Sequence, residues 1–78
     1  MVSFSLLPHL RARQVIKILE KIGFEVDRQK GSHIVMINKI NKRVTVVPDH
    51  RGKTIKKSLL MEIIKQAGLD IKDFLDLL

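Results

Sequence analysis

The chain has 78 residues, a net charge of +7, and no cysteine, Trp or Tyr. That length supports one domain, residues 1–78, around one modest core built from Ile, Leu, Val and Met with Phe4, Phe24 and Phe74. The missing cysteines exclude disulfides and thiolate metal sites, and no apolar run reaches the roughly 18 residues of a membrane helix. No basic stretch followed by a long apolar run opens the chain, so no secretory signal is expected and a reducing cytoplasm is the expected location.

Residues 1–10 are apolar and irregular around Pro8 and read as a lead-in. From Arg11 to Ile22, Ala12, Val15, Ile16, Leu19 and Ile22 recur at helical spacing, with Gln14, Lys17, Glu20 and Lys21 opposite. Gly23 suits the position just past this helix, whereas Leu10 and Arg11 are poor caps at its start. Phe24-Glu25-Val26-Asp27 alternates as a half-buried strand does. Ser32–Ile37 is β-branched and apolar on both faces, which suggests a central strand. Asn38–Lys42 is a polar turn, and Arg43–Val47 is a third strand stopped by Pro48. Asp49–Lys57 is a basic loop. Leu59, Leu60, Ile63, Ile64 and Ala67 then mark a second helix, with Ser58 or Thr54 as its N-cap and Gly68 as its end. Asp70 opens a short third helix that buries Phe74, Leu75 and Leu78. The order is α-β-β-β-α with a short C-terminal helix. Short connections make the sheet an antiparallel meander covered on one face by helices. This α+β layout is that of a double-stranded-RNA-binding domain.

Between the first two strands lies Lys30-Gly31-Ser32-His33. If Lys30-Gly31 forms a two-residue turn, Arg28 faces His33, Val26 faces Val35 and Phe24 faces Ile37. His33 would then share the helix-covered face, at the end where cover runs out. A one-residue slip would reverse every side chain. Residues 28–57 hold nine basic side chains and a single acid, Asp49, so this segment carries +8 and the rest of the chain −1. Such a patch suits nucleic acid, an acidic protein or an anionic membrane surface, and its simplest role is a solvated face.

Histidine alone among side chains has an ordinary pKa that lets it take and give protons near neutrality. RNA carries its own nucleophile, the 2′-hydroxyl. Cleavage needs a base, an acid and cations to offset the phosphorane-like charge. His33 with nearby Lys and Arg could supply these without metal. The bland alternative for His33 is a strand histidine satisfying a backbone group, and for His50 a loop histidine capping a turn. Histidine spacings of 24 and 17 residues, with no carboxylate cluster, make a metal site unexpected, and no glycine-rich phosphate loop is present. Ser32 and His33 are adjacent, so a strand would split them between faces, against a Ser–His nucleophile pair. Lys30, Ser32, Arg43, His50, Arg51 and Lys53 are the candidate RNA contacts. The lack of Trp and Tyr makes backbone contacts more important than base stacking.

Ile22-Gly23-Phe24, Arg28-Gln29-Lys30-Gly31-Ser32-His33, Val44-Thr45-Val46-Val47-Pro48-Asp49-His50 and Ile64-Lys65-Gln66-Ala67-Gly68-Leu69 together resemble HicA-type toxins over about residues 11–75. The most specific elements are Gly-Ser-His after the Gly-Phe strand and Val-Pro-x-His downstream. The resemblance implies a metal-independent, cofactor-free mRNA interferase of a toxin–antitoxin system. It places the catalytic histidine at His33, and implies a HicB-type antitoxin that masks the site. Two departures stand out: Arg11 replaces a capping Ser, and Lys57-Ser58-Leu59 stands where Lys-Gly-Thr/Ser-Leu is usual. A second reading keeps the fold as a catalytically silent RNA-binding module. A third is an interaction domain for an acidic protein.

Overall fold

A computed structural model describes residues 6–78. The elements are α1 (Ala12–Glu20), β1 (Phe24–Lys30), β2 (His33–Asn38), β3 (Val44–Pro48), α2 (Lys57–Gln66) and α3 (Ile71–Asp76). The three strands form an antiparallel sheet in the order β1-β2-β3, so the fold class and the central place of β2 stand as read from the sequence.

The helices cover one sheet face. Ile34 and Met36 of β2 and Thr45 and Val47 of β3 are buried there as cross-strand neighbours. Against them pack Val15, Ile18 and Leu19 of α1 and Leu60, Ile63 and Ile64 of α2. Phe74 is fully buried and anchors α3, whose N-cap Asp70 accepts a hydrogen bond from the Asp73 amide at 2.8 Å. The lead-in adds more than expected: Leu7 and Leu10 are buried, while residues 1–5, with Phe4, lie outside the described residues.

Two helix starts depart from the expected caps. At α1 the N-cap is Arg11, whose amide donates to the Gln14 side chain at 2.9 Å, so the third helical residue does the satisfying. At α2 the N-cap is Lys56 rather than Ser58 or Thr54. The reason is tertiary. The Ile55 amide donates to the Leu10 carbonyl at 2.7 Å, Thr54 bridges Arg11, and buried Ile55 fixes where the chain turns into the helix.

The hairpin register also departs from expectation. The turn is Gly31-Ser32, not Lys30-Gly31, and Lys30 pairs with His33. Gly31 takes φ +61°, the demand that a type II′ turn places on its first central residue. A bulge then leaves Asp27 out of the pairing, so Arg28 pairs with Val35, Val26 with Met36 and Phe24 with Asn38. The bulge changes the phase of β1. Phe24 and Gln29 therefore both pair with inward-facing residues although they differ in parity. His33 accordingly alternates with buried Ile34 and Met36 and is not on the covered face, although α2 side chains share the hollow it lines. Val26, expected to be covered, is half exposed on its outer strand.

Asn38 explains why the inner face reaches the end of β2 with a polar residue. It is buried, its side-chain amide donates to the Ile22 carbonyl at 3.0 Å, and its oxygen accepts from the Ile40 amide at 2.9 Å and the Asn41 amide at 3.3 Å. One side chain thus closes the β2–β3 turn and ties it to the α1–β1 connection.

Candidate active site

His33 opens β2 immediately after the Gly31-Ser32 turn, paired on one side with Lys30 and on the other with Pro48. It is exposed, and central placement in the sheet holds its backbone on both sides. The β2–β3 ladder is extended one step by the Asp49 amide, which donates to the Ser32 carbonyl at 2.7 Å. The chain then turns sharply. The Gly52 amide donates to the Asp49 carboxylate at 3.1 Å, the Lys53 amide donates to the His50 carbonyl at 3.1 Å, and Arg51 adopts φ +55°.

These constraints bring His33 and His50 to one cavity of about 250 Å³. Its other walls are Val46 and Pro48 of β3 and Leu59, Glu62, Ile63 and Gln66 of α2. An adjoining recess is lined by Ser32, Asp49, His50, Arg51 and Lys53, so His50 belongs to both. Five of the seven residues singled out from the sequence therefore gather around these two hollows, and Lys30 joins them through its pairing with His33.

Arg43 does not join them. It pairs by backbone with Asn38 at the far end of the sheet, and its guanidinium reaches 3.5 Å from the Gln66 carbonyl at the end of α2. A methyl on Gly68 would lie 2.7 Å from the Arg43 Nε, so the two side-chain positions are mutually fitted. A cation there complements the helix C-terminus.

The residues that sequence inspection missed are Leu59, Glu62 and Gln66. A signal for them existed. Residues 59, 62, 63 and 66 fall at i, i+3, i+4 and i+7, a stripe beside the core stripe of 60, 63, 64 and 67. Gln66 is held by the Thr45 hydroxyl, which donates to its Oε1 at 2.8 Å and fixes α2 against β3. Leu59, taken from its periodicity as core, is 44 % exposed and faces the cavity instead.

Among the described residues no group of three or more His, Cys, Asp or Glu side chains could hold a metal ion. The arrangement offers two exposed imidazoles on a partly apolar cavity, with cations on one flank.

The family model described as the HicA toxin of bacterial toxin–antitoxin systems matches residues 12–69. The chain belongs to the HicA toxin family. No curated protein gives a significant match. Membership makes the protein a toxin of a toxin–antitoxin system and implies an antitoxin partner. The matched span includes both histidines, all six strands and helices except α3, and the whole basic loop. No described helix is long and apolar enough to cross a membrane.

Proposed function

We propose that this HicA-family toxin is a metal-independent endoribonuclease that cleaves mRNA, with His33 as its catalytic histidine. The observation that carries the reading is the exposed imidazole of His33, set just after a two-residue turn and lining a cavity that His50 of the basic loop also lines. A rigid strand start suits general acid–base work, because proton transfer needs the imidazole within about 3 Å of the reacting oxygen. Lys30, Ser32, His50, Arg51 and Lys53 surround it as phosphate and sugar contacts. Their donors match a polyanion whose negative charge rises as the 2′-oxygen attacks phosphorus. The open sheet face and the scarcity of aromatics favour contacts to backbone and 2′-hydroxyl groups over base stacking.

The implied antitoxin is then a HicB-type protein with an acidic contact surface laid over Lys30, His33 and the loop 49–57. Covering an exposed histidine excludes substrate with no change in the toxin's conformation. Opposite charge accelerates the encounter.

Inducible expression tests the reading. The intact protein is expected to arrest growth and fragment cellular mRNA. His33→Ala is expected to do neither while remaining folded by circular dichroism and still binding RNA. A folded His33→Ala protein that arrests growth and fragments mRNA as the parent does would remove His33 from catalysis.

A further inference from the structure

We propose that His50 is a second catalytic residue, and that His33 and His50 divide the two proton transfers of RNA cleavage between them. The proposal rests on the ribonuclease reading above and assigns chemistry to a residue that reading uses only as a contact.

Three observations converge on it. The first is the shared cavity of about 250 Å³, which His33 enters from β2 and His50 from the loop after β3. The second is how the backbone brings them there. Pro48 is the cross-strand partner of His33, the Asp49 amide closes the next rung onto Ser32, and His50 follows at once. β3 ends at Pro48 and the chain bends at His50, one residue past that last rung, where His50 lines the cavity beside His33. The third is that the loop is bound tightly behind His50. Its carbonyl accepts from the Lys53 amide, the Asp49 carboxylate accepts from the Gly52 amide, and Arg51 stays in the left-handed region that non-glycine residues rarely adopt. A loop tied in this way holds the His50 backbone in place, as proton transfer over a fixed short distance requires. The third histidine, His9, is exposed in the lead-in and is not part of the cavity lining.

The chemistry balances with these two groups alone. One imidazole removes the proton from the 2′-hydroxyl as the 2′-oxygen forms its bond to phosphorus. The bond from phosphorus to the 5′-oxygen breaks, and the other histidine, starting as imidazolium, gives its proton to that oxygen. The products are a 2′,3′-cyclic phosphate and a free 5′-hydroxyl. The two imidazoles have exchanged protonation states and return to the start by exchange with water. Arg51 and Lys53, beside His50 in the adjoining recess, stand where a phosphate between the two rings would need cations.

The test uses the full chain with a short RNA whose cleavage position has been mapped, and the same RNA carrying sulfur in place of the 5′-oxygen at that position. Thiolate leaves without being protonated, so only the acid becomes dispensable. On ordinary RNA, His50→Ala, His50→Gln and His33→Ala are each expected to lower kcat by about 10²–10⁴-fold, and His9→Ala to leave it unchanged. On the sulfur-containing RNA one of the two, either His33→Ala or His50→Ala, is expected to recover to near the parent rate while the other stays inactive. Recovery of neither or of both, or normal kcat in the folded His50 variants with only KM raised, would overturn the proposal. Failure of the unaltered protein to cut either RNA would instead refute the ribonuclease reading beneath it.

Discussion

Arg51 and Lys53 are expected to act through charge rather than proton transfer. Both line the recess beside Ser32 and His50, and no ion pair engages them among the described residues. The basic residues Arg28 and Lys39 differ, since they pair with Asp27 and, at 3.1 Å, with Glu25. Phosphate affinity is therefore expected to depend strongly on the loop. The fitting substitutions are Arg51→Asn, because Asn tolerates the positive φ that Arg51 adopts, and Lys53→Gln. Together they are expected to weaken RNA binding for all sequences and to reduce the salt slope by about one unit per lost phosphate contact. Affinity titrations at several salt concentrations would read both effects. An unchanged slope would place phosphate binding elsewhere on the +8 segment.

At the scale of elements, the hairpin is where sequence and structure diverge most. The three strands and three helices are legible from periodicity, from the turn at Gly31 and from the Asp70 cap. Neither the phase of β1 nor the side on which His33 emerges is legible. Both depend on the Asp27 bulge, and nothing in Glu25-Val26-Asp27-Arg28 distinguishes a bulged strand from a regular one. An inward-facing Asn38 misleads in the same way. A polar residue after Ile37 reads as the first residue of a turn, whereas here it ends the core face because three backbone groups satisfy it. The helix starts are obscured for another reason. Contacts distant in sequence, Ile55 with Leu10 and Thr54 with Arg11, replace the local caps that propensity would look for. Of the site, His33 and the basic loop could be read directly, but the α2 wall of Leu59, Glu62 and Gln66 required knowing which side of the helix meets β3.

Asn38 accordingly carries a prediction for the sheet. Asn38→Ala removes one donor and one acceptor at once and leaves the Ile22 carbonyl and the Ile40 and Asn41 amides without that partner. Stranding part-buried polar groups costs about 1–3 kcal/mol each before water re-enters. A loss of about 2 kcal/mol in urea unfolding is expected, with the m-value unchanged. A loss under about 0.5 kcal/mol would mean the turn closes without the side chain.

For the whole molecule, the governing feature is how unevenly charge is spread. A segment of +8 on a chain otherwise near neutral gives the site a direction from which a polyanion is drawn. The same field would serve inhibition, because an acidic antitoxin would be steered to the surface proposed for RNA. Antitoxin and RNA are therefore expected to compete, with hydrogen exchange slowed at residues 28–36 and 48–57 in the complex. Protection limited to α1 and α3, with RNA still bound, would contradict masking.

Metal-independent cleavage by His33 is the central proposal, and one measurement addresses it directly. The purified protein and its folded His33→Ala variant would be incubated with a defined RNA in excess EDTA, and the new ends identified. Undiminished cleavage by the intact protein is expected, leaving 2′,3′-cyclic phosphates, with the His33→Ala rate lower by about 10²–10⁴-fold. Cleavage that stops in EDTA and returns with a divalent ion, or that survives His33→Ala at the parent rate, would contradict it.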